Sequence, residues 1–175
     1  MKKSKLKMMN FMALCCVLGM ISKKLMNPFA NIVTDLLHIP GGVSTAFSIM
    51  FLVIGREYVS LSHGGTLMAT VQGLLALALG RVGSMGILMP FGFIVTGIGI
   101  DLVYALKKIF SLSMFERMVF SNALAAVAAS VFANIIVFQL RGSVLYLYLC
   151  VSAISGTLFG ILGYVIYQRI QGGIS

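Results

Sequence analysis

Residues 83–106 read GSMGILMPFGFIVTGIGIDLVYAL and end at the pair Lys107 and Lys108. The run is apolar and long enough to cross a bilayer as a helix, for which roughly 20 residues are needed. Three of its features set what the rest of the chain must supply. Pro90 lies inside it and removes one helical hydrogen bond, so a kink or local opening is expected there. Gly92, Thr96 and Gly99 repeat at i, i+4 and i+7, a stripe of small side chains that lets another helix approach closely. Asp101 is a carboxylate at membrane depth. A charge in hydrocarbon is costly, so Asp101 either turns to the interior, a cavity or a partner, or lies near the interface and pairs with Lys108 one heptad on. The residues alone leave both readings open.

Outward from this run the same character recurs. Of 175 residues, 59% are hydrophobic and only 10% charged, against about 25% charged in soluble domains. The chain is therefore expected to be a single all-α membrane domain spanning residues 1–175. The net charge of +9 does not mark a nucleic-acid binder, because the basic residues punctuate the apolar runs and do not form a patch interleaved with aromatics.

Six crossings are expected, at residues 8–26, 43–60, 66–79, 85–106, 118–140 and 144–166. The basic head MKKSKLK and the short apolar run after it resemble a signal peptide in outline, but no small-x-small site follows, and Leu14 stands before Cys15 where a lipoprotein signal needs a small residue. The run is read as the first crossing, with Lys23 and Lys24 snorkelling to the far surface. Residues 28–38 then alternate apolar and polar groups at helical spacing. Asn27 is the expected cap and Pro28 sits in the first turn, which gives an amphipathic helix in the first outer loop. It is either a lid or a plain interfacial helix.

In the second crossing, Arg56 and Glu57 are adjacent and so do not face each other on a helix. Gln72, at mid-depth in the third, reads as glue between helices. The connector after Lys108, residues 109–115, is amphipathic and suits an interface. Ala125, Ala129 and Ala133 give the fifth crossing a smooth face. In the sixth, Ser152, Gly156, Gly160 and Gly163 form the strongest packing stripe in the chain. With both termini inside, the inner face collects Lys2, Lys3, Lys5, Lys7, Arg56, Lys107, Lys108, Arg117 and Arg169, and the outer face Lys23, Lys24, Arg81 and Arg141. Nine against four favours cytoplasmic termini in the cell membrane.

Catalytic constellations are missing. The chain has no P-loop, no His-Glu-x-x-His motif and no paired carboxylates, and its four acidic residues are scattered; an enzyme is not expected, nor a cofactor. Cys15, Cys16 and Cys150 lie within apolar helices at no metal or disulfide spacing and read as packing residues. Polar and aromatic groups at the outer helix ends suit capture of a small molecule from outside. The alternative is a membrane scaffold or assembly protein, whose outer end would be packed solid.

The runs IVTGIGIDLVYALKK (residues 94–108), SVFAN ending at Asn134, and ISGTLFGILG (residues 154–163) resemble the substrate-binding (S) components of energy-coupling factor (ECF) vitamin transporters, in particular the group for thiamin and its hydroxymethylpyrimidine precursor. The likeness extends to the basic N-terminus, six crossings and short loops. It implies a subunit that binds a vitamin near the outer face, joins a transmembrane coupling protein and two cytoplasmic ATPases, and topples to release its ligand. It further implies a ligand site at Phe29, Asp35, His38, Met89, Thr96, Asn134, Gln139, Tyr146 and Tyr148, with tyrosines stacking on a ring and Asn134 and Gln139 reading its polar edge. The family's Ala-x-x-x-Ala contact motif on the first helix is replaced by Cys15 and Gly19, small but not matching, which stand with Asp101, Gly156, Gly160 and Gly163 as candidates for helix packing or partner docking. No carboxylate lies in the outer half of the last three crossings. A cationic ligand would then depend on Asp35, and a neutral one is favoured.

Overall fold

The apolar runs become helices that pack antiparallel to their sequence neighbours. The computed structural model describes residues 2–37, 43–59, 61–80, 83–107 and 109–172. Six α-helices follow one another: α1 (Lys2–Leu37), α2 (Val43–Tyr58), α3 (Gly64–Ala78), α4 (Met89–Leu106), α5 (Met114–Val131) and α6 (Ser143–Gly172). A 3-10 turn (Gly83–Leu88) leads into α4 and a π-helical turn (Phe132–Val137) ends α5. There is no strand among the described residues.

The chain is a membrane helical bundle. Four runs are long and apolar enough to cross a bilayer: Leu6–Phe29, Met85–Leu106, Met114–Val137 and Ser143–Gly172. Their outward faces are hydrocarbon, for instance Leu14, Leu18, Ile21 and Leu25 on α1 and Ile154, Leu158, Ile161 and Val165 on α6, a surface that only lipid or another apolar face satisfies. The helices α2 and α3 have 16 and 15 residues, about 24 and 22 Å at 1.5 Å per residue, short of the ~30 Å hydrocarbon core. For α2 the reason is its position. It touches all five other helices and is buried almost continuously from Ala46 to Arg56, so protein rather than lipid surrounds it.

Glycines set the helix spacing. A Cβ on Gly97 would lie 2.5 Å from the Cα of Thr66 on α3, and one on Gly99 would lie 3.2 Å from the Cα of Ala125 on α5. Thus α4 is smooth on two sides. On α6, Gly156 and Gly160 meet the backbone of Ala123 and Val119 on α5, while Gly163 meets Met50 on α2. The expected stripe on α6 is therefore split between two partners.

Two expectations are corrected. Pro90 is not in a helix interior: the 3-10 turn ends at Leu88 and Pro90 sits in the first turn of α4, where its missing N–H is no loss. The first crossing and the outer-loop helix are one element, since α1 runs through Pro28 to Leu37. Pro28 has no N–H for the Lys24 carbonyl four residues back, and the long helix carries the defect. Asn27 is accordingly mid-helix and not a cap.

Candidate functional site

The termini of the bundle and its opposite end differ in chemistry. At the end of α1's start and α6's finish, buried charges are paired. Arg56 Nε donates to Asp101 Oδ1 at 2.7 Å, and the Gly65 amide donates to the same oxygen at 3.0 Å. Asp101 Oδ2 accepts from the Thr66 amide and from the Thr66 hydroxyl, each at 2.7 Å. Asp101 thus binds an arginine and caps the N-terminus of α3, where free amides and the helix dipole favour an anion. Four donors fill its acceptor capacity, which decides the open question: Asp101 turns inward to Arg56, and Lys108, itself outside the described residues, is not needed. The Arg56 guanidinium lies 4.5 Å from the Tyr104 ring centroid. Tyr104 donates to Glu57 at 2.6 Å, and Glu57 also accepts from Arg117 at 2.6 Å. Arg56 and Glu57 do not pair with each other, though both touch Tyr104.

The opposite end is open. A cavity of about 710 Å³ is lined by every helix, within the ~300–1,000 Å³ of small-molecule sites. From α1 come Met20, Lys23, Lys24 and Asn27, spaced i, i+3, i+4, i+7 on one face; from α2, Thr45, Ser48, Ile49 and Leu52; from α3, Gln72 and Ala76. Met89, Gly92, Phe93 and Thr96 of α4 join Ala126, Ala129 and Ser130 of α5 and Tyr148 and Ser152 of α6. The π-helical turn adds Ala133 and Asn134, followed by Phe138. Lys24, Asn27 and Phe138 are exposed and form the rim, whereas Gln72, Thr96, Asn134 and Ser152 are buried in its depth.

Several polar groups there are pre-engaged. Ser48 donates to the Gly19 carbonyl at 2.8 Å, Thr96 to the Gly92 carbonyl at 2.8 Å, and Asn134 Nδ2 to Ser130 Oγ at 2.9 Å. Gln72 Nε2 donates to the Cys16 carbonyl at 2.7 Å, the interhelical bond expected of it, but its Oε1 is buried with no donor. The π turn has a physical trace in the 2.9 Å bond from the Phe138 amide to the Ala133 carbonyl, five residues back. Such turns often mark functional sites.

Of the expected ligand residues, Met89, Thr96, Asn134 and Tyr148 line the cavity. Gln139 and Tyr146 are instead part of a separate shallow depression with Ile135 and Arg141. Gln139 leaves the π turn with φ +53° and Tyr146 is 71% exposed; tyrosines two residues apart on a helix point different ways. Phe29 is exposed and away from the lining. The backbone of Asp35 belongs to α1, and its side chain, like His38, lies outside the described residues. Cys15 and Gly19, two of the candidates for helix packing or partner docking, are buried; Gly19 faces Gln72 and Ser48, and Cys15 lies against Gly55. Both pack closely within the bundle.

Lys23, Lys24 and Gln72, expected as topology signals or interhelical glue, also line the cavity. Their signal was positional, since the α1 stripe of Met20, Lys23, Lys24 and Asn27 is polar inside a membrane span. The Lys23 ammonium is turned inward, 5.6 Å from the Phe93 ring centroid, and does not snorkel outward. No cluster of metal-ligating side chains occurs among the described residues. Comparison with protein-family models, curated proteins and solved structures gives no match for the chain.

Proposed function

We propose that this chain is the substrate-binding subunit of an ECF-type importer, taking up a vitamin or vitamin precursor at the outer face of the cell membrane for ATP-driven import by a coupling protein and two ATPases. The observation that carries the reading is the cavity at the end opposite the termini. All six helices reach it, it has the size of a small-molecule site, and its polar groups are few and converge on one space. In this reading α2 and α3 also cross the membrane, shielded by their neighbours, and both termini are cytoplasmic, as the lysine and arginine distribution favours. The motifs in α4, α5 and α6 point to the thiamin-related group. A chain without a nucleotide site needs separate ATPases, which the proposed assembly supplies. A scaffold protein has no use for such a space at one end.

The test is native mass spectrometry of the protein purified gently from its own host. A small molecule bound with a coupling protein and ATPases is the expected result. A bare chain, under conditions that keep a known vitamin transporter loaded, refutes it. Within the site, Asn134→Ala and Tyr148→Ala are expected to weaken ligand binding while Tyr146→Ala leaves it unchanged.

A further inference from the structure

We propose that the cavity's occupant is a small organic anion, whose acidic group meets the ammonium groups of Lys23 and Lys24 and whose other end donates an N–H or O–H to Gln72 Oε1. This rests on the ligand-binding reading above, narrows it to a chemical class, and parts from the thiamin-related assignment, whose cationic vitamin and neutral precursor carry no acidic group.

Charge is the first argument. Lys23 and Lys24 are the charged side chains of the lining, and no carboxylate is among the described lining residues. Three of the chain's four acidic residues are engaged elsewhere. Glu57 binds Arg117 and Tyr104, Asp101 binds Arg56 and the start of α3, and Glu116 closes a capping box with Ser113. The fourth, Asp35, stands twelve residues beyond Lys23 on α1, about 18 Å along the axis. Two ammonium groups on one helical face, in a low-dielectric recess with no acidic partner among the described residues, repel a cation and attract an anion. The inward turn of Lys23 onto Phe93 keeps one of these charges at the recess.

The second argument is the orphan acceptor. Gln72 is fully buried and lines the cavity. Its orientation is fixed, because only the NH₂ group can face the Cys16 carbonyl 2.7 Å away. That leaves Oε1 without a donor and just beneath the cavity wall, so a ligand's donor reaches it by a small shift of that wall; a buried amide tolerates a missing donor poorly.

The separation sets the ligand's size. Gln72 Nε2 contacts α1 at the level of Cys16 and Gly19, four to seven residues below Lys23, or about 6–10 Å along the axis. That is the length of a one- or two-ring acid, too short for a dinucleotide. Carboxylate and phosphate monoester share the required chemistry, and a phospholipid headgroup is a third source of it.

The experiment is identification of the molecule released from the protein purified from its own host, for the wild type, the Lys23→Arg/Lys24→Arg variant and the Lys23→Gln/Lys24→Gln variant. The expected result is an organic acid, carboxylate or phosphate by its exact mass. The arginine variant retains it, and the glutamine variant retains about 10- to 100-fold less, the effect of removing a charge-assisted contact. Should the double glutamine variant not fold, Lys24→Gln alone, at an exposed position, and Gln72→Glu, which puts a carboxylate at the floor, are each expected to lower occupancy. An uncharged or cationic occupant, or an acid equally retained by the glutamine variants, overturns this inference and leaves the binding reading standing. Phospholipid as the sole occupant overturns it also. An empty wild-type cavity overturns both.

Discussion

Asp101→Ala removes the acceptor on which four donors converge at the terminal end of the bundle. The Arg56 guanidinium stays buried, bonded to the Val59 and Ser62 carbonyls and stacked on Tyr104, but without a counter-charge. Breaking a buried pair from one side costs about 3–5 kcal/mol. Losing the cap on α3 adds about 1 kcal/mol. The expected loss is therefore about 4–6 kcal/mol, measured as the unfolding free energy in mixed micelles against denaturing detergent. The double variant Arg56→Met/Asp101→Leu removes both charges and keeps apolar volume, so it is expected to recover most of the loss. Hydrogen exchange gives the local reading: the Gly65 and Thr66 amides, which bond the carboxylate, should lose protection in Asp101→Ala before the rest of α3. A loss below about 1 kcal/mol, or a double variant no better than the single, refutes the pairing and its role as the clamp of this end.

Other outcomes follow from the same packing. Gly97→Ala puts a Cβ 2.5 Å from the Thr66 Cα; backbone cannot yield as a side-chain tip does, so overpacking should cost about 1–3 kcal/mol in the same unfolding assay. On α6, Gly160→Ala meets the Val119 Cα at 2.8 Å whereas Gly163→Ala meets the Met50 side chain at 2.8 Å; the first should lower the thermal midpoint more than the second, since methionine adapts. Ser113→Ala opens the capping box at the start of α5 and should cost about 1 kcal/mol, read as loss of protection in the first turn of α5.

The helices were legible because membrane depth demands long apolar runs, and the small-residue stripes were legible because close approach demands them. Asp101 could be flagged but not paired. Its partner, Arg56, is 45 residues away in sequence, and adjacency to Glu57 says only that the two do not face each other. The π turn that carries Asn134 left no mark, since its residues Phe132–Val137 are as apolar as any helical run. It moved Gln139 into the loop and out of the cavity. Tyr146 and Tyr148 look equivalent in sequence; the rotation of α6 against α5 and α2 separates them. Pro28 misled because a helix boundary is a common reading of Asn-Pro, while α1 absorbs it.

The cavity and the clamp are two consequences of one gradient along the helices. On α6 the inward positions run Tyr148, Ser152, Gly156, Gly160, Gly163, from cavity lining to closest packing. On α4, Phe93 and Thr96 line the space, and one residue further Gly97 brings the backbone against Thr66. On α2, Thr45 to Leu52 line it and Gly55 lies against Met68 and Cys15. The change comes at one level, marked by Leu52, Gln72, Thr96, Ala126 and Ser152. Below it, glycines let backbones touch and the Arg56–Asp101 and Glu57–Arg117 pairs tie α2 to α4 and α5. Above it, α3 and α4 still meet at Gly73 and Pro90, while small residues such as Gly92, Ala129 and Ala133 leave the space open. An ion pair broken from one side is costly, so the lower half resists opening, and the freedom to admit a ligand falls to the upper half, where α1 and the π turn of α5 meet the rim. Tightening the upper half should therefore disturb binding without unfolding the bundle, and loosening the lower half should do the reverse.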